Sequence, residues 1–169
     1  MEKIINILAI VGLIESAFLV AGAIWGFYLW STGVFPALYR LGNGLAKRKV
    51  AVFAKNEQAT SLVQLLTDSG LFKKRNIEII TRKEDIGRAE RASVYLLFWP
   101  EWKDCIDDVL SKKPDSCPLI VYAPRNRELI PEEDMIKLDG HRHTAVTNFR
   151  ARLLNDMVTA MITTSYEKK

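Results

Sequence analysis

Residues 93–98, Ser-Val-Tyr-Leu-Leu-Phe, are the stretch from which the fold can be read. Six uncharged residues, apolar at odd and even positions alike, leave no face for water. They predict a strand covered on both sides, as in the centre of a parallel sheet. Outward from it, residues 49–54 (KVAVFA), 76–81 (NIEIIT), 119–123 (LIVYA) and 144–147 (TAVT) read as four more strands. Between them lie helical patterns. A helix over 58–69 is capped by Asn56 and ended by Gly70. A short polar helical connection covers 84–91. Pro100 introduces a helix over 101–112, and Pro131 opens a short one in EEDMIKL, with acids in its first turn. The last helix, 148–164, carries Phe149, Leu153, Leu154, Met157, Val158, Met161 and Ile162 on one stripe. Strands alternating with helices predict an α/β fold: a small open, mostly parallel five-stranded sheet with helices on both faces, in the flavodoxin-like order 2-1-3-4-5.

Ahead of this domain, residues 4–29 (IINILAIVGLIESAFLVAGAIWGFYL) form an apolar run whose only charged side chain is Glu15. At 1.5 Å per residue a helix of that length reaches roughly 39 Å, enough for one membrane span with tilt. It is too long for a signal peptide and flows into Trp25, Phe27, Tyr28 and Trp30, aromatics suited to a membrane–water interface. The expected division is a transmembrane helix over 1–32, an interfacial connector over 33–48 and a Rossmann-like domain over 49–169. The connector holds Gly33, Pro36, Gly42 and Gly44, and Pro36 can open a second short helix. Arg40 and Lys47 to Lys49 follow the span, against Lys3 before it. This bias predicts the inner membrane of a cell, single-pass, with the C-terminal domain cytoplasmic; the same cations suit lipid headgroups.

One face of the span collects Gly12, Glu15, Leu19, Gly22, Gly26, Leu29 and Gly33 at spacings of three and four. Gly22 and Gly26 make a GxxxG, which lets helices approach closely in lipid. A charged Glu15 at mid-membrane costs on the order of 3 kcal/mol or more, so it calls for a partner helix or water. The bland alternative is an acid near the interface among glycines common to membrane helices. The sharper expectation is a homo-oligomer associated through Gly12, Glu15, Gly22 and Gly26, with an ion-conducting pore as one form of it.

From residue 40 onward the chain holds 23 basic and 18 acidic residues. That mild excess suits an anionic ligand or surface without demanding one. Cys105 and Cys117 lack metal-ligand spacing and read as reduced and buried. In open parallel sheets ligands bind beyond the carboxyl ends of the strands. There the sequence places Lys55, Asn56, Arg82, Trp99, Arg125, Arg127, Asn148 and Arg150. Arginine forks and helix starts suit phosphate, and Trp99 is placed to stack on a base. The expected partners are a nucleotide or oligonucleotide and membrane lipid. The plain alternative is that loops are polar and a basic chain scatters its cations.

Catalytic signatures are missing. The sequence has no GxGxxG, no GxxxxGK and no GxSxG. His141 and His143 with Asp139 are too few for zinc, and no metal or cofactor is expected. Glu101 stands where a catalytic acid could act, and equally where an acid complements a helix start.

The segments VYLLFWPEWKDCIDDVL, PLIVYAPRNRELIP and TAVTNFRARLLNDM resemble the later half of TIR-like and related Rossmann-type sensor domains. In TIR enzymes the central strand leads to a helix bearing a catalytic glutamate, which Glu101 would match, although the usual Ser/Cys and Glu spacing is absent. One membrane helix joined to such a domain also looks like prokaryotic defence effectors, membrane-anchored CARF proteins among them. That resemblance implies a membrane effector which binds a nucleotide signal and controls an oligomeric transmembrane assembly in antiviral defence. Its alternatives are a membrane-anchored nucleotide hydrolase, and a tether that docks a protein partner.

Overall fold

The structure is a computed structural model; it describes the backbone of residues 2–166 and the side chains of residues 10–33 and 48–164. The chain divides into two compact units, Met1–Gly42 and Asn43–Lys169.

The first unit belongs to helix α1, Glu2–Lys47. Within α1, Ile10–Gly33 is 24 residues long with mean hydropathy 1.9, and none of it is buried. By length and composition it is able to cross a membrane. Its serine and threonine hydroxyls turn back onto the helix: Ser16 donates to the Gly12 carbonyl at 2.8 Å and Thr32 to that of Tyr28 at 2.9 Å. Hydroxyls satisfied in this way need no water. The aromatic residues pair along the helix, Trp25 with Tyr28 and Phe27 with Trp30, each with ring centroids 5.9 Å apart. The sequence expects a connector from residue 33, yet the backbone stays helical to Lys47. Pro36 and the glycines cost helix stability, but Ala37, Leu38, Leu41, Leu45 and Ala46 are strong helix formers, and these prevail. The side chains of Arg40 and Lys47, expected at lipid headgroups, lie outside the described residues.

The second unit contains the sheet: β1 (Val50–Phe53), β2 (Ile77–Ile80), β3 (Val94–Phe98), β4 (Leu119–Tyr122) and β5 (Thr144–Thr147). All neighbours are parallel and the order is β2-β1-β3-β4-β5. This is the flavodoxin-like arrangement that the alternation of elements predicts. Every residue of β1, β3 and β4 is buried. Their side chains alternate between two cores. On one face Ala51, Phe53, Tyr95, Leu97, Leu119 and Val121 meet Ile86, Trp99, Trp102, Ile106, Val109 and Leu138. These come from α3 (Trp99–Trp102), α4 (Ile106–Lys112), α5 (Glu132–Gly140) and a 3-10 stretch over Lys83–Arg91. On the other face Val50, Val52, Val94, Leu96 and Ile120 meet Leu62 and Leu66 of α2 (Asn56–Asp68) and Leu153, Met157 and Met161 of α6 (Arg150–Tyr166).

Local departures have local causes. The helix expected over 101–112 is broken into α3, a 3-10 turn at Lys103–Cys105 and α4. The breaks let both indoles and Ile106 reach one core; Trp99 is 0% exposed and Trp102 1%. Gly70 ends α2 as expected, at φ 70°, a conformation that glycine adopts without strain. Asn56 is the first residue of α2 rather than its cap, at φ 46°, in the left-handed region that asparagine tolerates. Phe149, expected on the packed stripe of the last helix, precedes α6 and is 54% exposed. Cys117 is buried and Cys105 half-buried, both as free thiols.

At the amino edge of the sheet, Lys113 is a buried cation, 8% exposed. Its ammonium donates to the carbonyls of Cys117 and Arg142, both at 3.0 Å. Burial pulls its pKa below the ordinary lysine value. These bonds staple the turn before β4 to the turn before β5. Arg48, half-buried just after α1, donates through Nη1 to the Met161 carbonyl of α6 at 2.7 Å. Replacing Lys113 with methionine removes both bonds while keeping the apolar stem. The expected cost is about 1–3 kcal/mol of stability, read as a lowered urea midpoint at unchanged slope.

Candidate functional site

The carboxyl edge of the sheet is built by the turns that follow each strand. The turn after β1 presents Lys55 and Asn56, both exposed, and leads into α2. The Lys55 backbone N–H donates to Glu101 Oε2 at 2.6 Å. Glu101 therefore crosses from the start of α3 to the end of β1 and pins the two turns together. The Lys55 ammonium lies 5.8 Å from the centroid of the Trp102 ring, within the range of a cation–π contact. The turn after β4 holds Arg125 and Arg127, both exposed. Arg127 places its guanidinium carbon 5.8 Å from the Phe98 ring centroid, over the end of β3. Lys55 and Arg127 thus each lie near a different buried ring, Trp102 in the core on one face of the sheet and Phe98 in the core on the other.

The other expected residues divide into three cases. Arg82 is exposed at the start of the 3-10 stretch that follows β2, at the β2 end of the edge. Asn148 is exposed after β5, and Arg150 opens α6 with its Nη2 donating to the Ser61 carbonyl of α2 at 2.8 Å. Arg150 is thereby a clamp between α2 and α6. Trp99 is a correction. Its ring is fully buried in the core beneath the sheet, so it offers no face for a base to stack on. Its position after a strand end suggests a ligand platform, but α3 turns it inward.

Carboxylates interleave with the cations. Lys103 pairs with Glu128 at 2.6 Å, and Lys83 with Asp108 of α4 at 2.6 Å. These contacts raise the pKa of both lysines, through the side-chain hydrogen bond first and the Coulomb attraction second. Among the described residues, no ion pair engages Lys55, Arg125 or Arg127. What the edge offers chemically is a small set of unneutralised cationic donors, Lys55, Arg125 and Arg127. Among the described residues no three of His, Cys, Asp and Glu gather to hold a metal ion. Sequence reasoning did not find the Lys55–Glu101 bond. Its only signal was an acid three residues after a buried strand.

On α1, the residues Gly12, Glu15, Gly22 and Gly26 are all exposed along the apolar stretch. A Cβ added at Gly12, Gly22 or Gly26 would meet nothing within 4 Å.

No family model matches the chain, and comparison with curated proteins finds no match. Among solved structures, the chain is similar to the N-terminal domain of the nisin resistance regulator NsrR, a lantibiotic response regulator. The identity is 14% over 69% of this chain and 98% of that one, with a TM-score of 0.45.

If Glu101 serves chiefly to hold the Lys55 turn, Glu101→Ala will cost about 1–2 kcal/mol, the scale of a charge-assisted bond at a half-exposed site. Glu101→Gln keeps an acceptor and is expected to recover at least half of that. Paired thermal melts of the two variants measure the difference.

Proposed function

We propose that the chain is a single-pass membrane protein whose flavodoxin-like domain is cytoplasmic, and that this domain binds a phosphate-bearing ligand, a nucleotide or oligonucleotide, at the carboxyl edge of its sheet. The observation that carries the reading is the trio Lys55, Arg125 and Arg127. They are exposed, free of ion pairs among the described residues, and lie on the turns after β1 and β4 at the carboxyl edge. Arginine forks recognise phosphate bidentately, and the first-turn N–H groups of α2 add donors of the same sign. Asn56, Arg82, Asn148 and Arg150 extend the site along the edge, with Arg150 positioning α2 through Ser61 rather than reaching for ligand.

In this reading the span is a working part. A Cβ added at Gly12, Gly22 or Gly26 meets nothing within 4 Å, and Glu15 sits within the apolar stretch. Self-association would cover the glycines and shield the acid. Ligand binding then controls an oligomeric transmembrane assembly, a pore being its most consequential form and antiviral defence the setting that the resemblance implies. The positive-inside bias of Arg40 and Lys47 to Lys49 supports the cytoplasmic side for the domain. A second reading, a membrane-anchored nucleotide hydrolase, loses support from Glu101, whose carboxylate holds a backbone N–H.

The test is calorimetric titration of the purified full chain with mono- and oligonucleotides and with inorganic phosphate. Arg125→Ala with Arg127→Ala is expected to weaken the nucleotide that binds by tenfold or more, about 1.4 kcal/mol. Unchanged affinity in that double variant, or wild-type protein that takes up none of the probes, defeats the reading.

A further inference from the structure

The turns that precede the strands form the opposite, amino edge of the sheet. β1 pairs Val50 with Ile77 and Val94, and β4 pairs Leu119 with Tyr95 and Thr144, so the strands start nearly level. Backbone bonds join the turns sideways: Ser93 N–H to the Lys49 carbonyl at 2.8 Å and Leu119 N–H to that of His143 at 2.9 Å. With the Lys113 staple they make one continuous surface.

This surface is cationic. Lys73, Lys74 and Arg75 are consecutive and exposed before β2. Lys49 precedes β1, Arg91 precedes β3 and Arg142 precedes β5, all exposed. The acids sharing the edge are fewer: Asp68, Glu90, Asp115 and Asp139. Leu71 stands beside the triplet with 38% of its surface exposed, held out on a turn whose Gly70 has φ 70°. An apolar side chain among clustered cations is the composition of an interfacial membrane contact.

The connection from α1 to this edge is short. Only Arg48 and Lys49 separate α1, ending at Lys47, from β1, beginning at Val50. With Ile10–Gly33 as the span, the helix left over reaches at most roughly 21 Å at 1.5 Å per residue. A bilayer surface is therefore present at high effective concentration, and the positive-inside leaflet is the anionic one. We infer that the amino edge of the domain, through Lys49, Leu71, Lys73 to Arg75, Arg91 and Arg142, docks on the anionic lipid surface of the membrane that α1 spans. The inference rests on the membrane-span part of the proposed function and leaves the opposite, carboxyl edge open to soluble ligand.

The experiment uses the full chain in lipid nanodiscs, of phosphatidylcholine alone or with a third phosphatidylserine, read by amide hydrogen exchange. On the anionic discs, exchange over residues 70–76 and 141–143 is expected to slow at least threefold relative to neutral discs. It should return to the neutral rate in 1 M salt and in the triple variant K73E/K74E/R75E, whose side chains are all exposed. Residues 125–130 should exchange alike on both lipids. Equal exchange of the amino-edge turns on neutral and anionic discs overturns the inference. So does protection of those turns by an oligonucleotide but not by lipid. A chain that fails to enter discs and stays soluble without detergent refutes the span reading instead, so the two failures are separable.

Discussion

The structure depends on the burial of both faces of β1, β3 and β4. A parallel strand with no polar face needs a helix layer on each side, and the chain supplies α2 and α6 to one face and the α3–α5 side to the other. Once both faces are covered, polar groups are left only at the two edges and on the outer surfaces of the helices. The composition of the two rims is set by the turns. The two rims differ. The carboxyl edge interleaves cations with carboxylates. The amino edge carries the exposed basic triplet before β2 and is the edge at which α1 joins the sheet.

Most of the fold was legible because its signal is local. Residues 93–98 are apolar at every phase, and the spacing of strands and helices leaves the flavodoxin-like order as the natural one. The polar connection over 84–91 and the glycine stop after α2 are also local and appear as read. What was not legible depends on competition between signals. Pro36 and three glycines mark a connector in the sequence, and the backbone of α1 runs through them to Lys47. The run 101–112 reads as one helix, yet placing Trp99, Trp102 and Ile106 in one core divides it.

The candidate site was legible in position and less so in membership. Lys55, Asn56, Arg82, Arg125, Arg127, Asn148 and Arg150 fall along the carboxyl edge, because topology alone puts post-strand turns there. Trp99 occupies the same kind of position and is nonetheless buried, since the direction of a side chain at a strand end depends on the helix that follows. Carboxylates stand between the cations of these turns, Glu128 against Lys103 and Asp108 against Lys83. Glu101 looked like a possible acid for chemistry and is a brace between two turns.

The central claim is that α1 is a working, self-associating span rather than a bare anchor. It is tested most directly by the oligomeric state of the full chain in mild detergent, measured by light scattering with the detergent mass subtracted. The account predicts a discrete oligomer for the native chain and its loss to monomer in Gly22→Leu with Gly26→Leu, at positions where an added Cβ meets nothing within 4 Å. A native chain that is monomeric at micromolar concentration, or an oligomer that those two leucines leave intact, would contradict it.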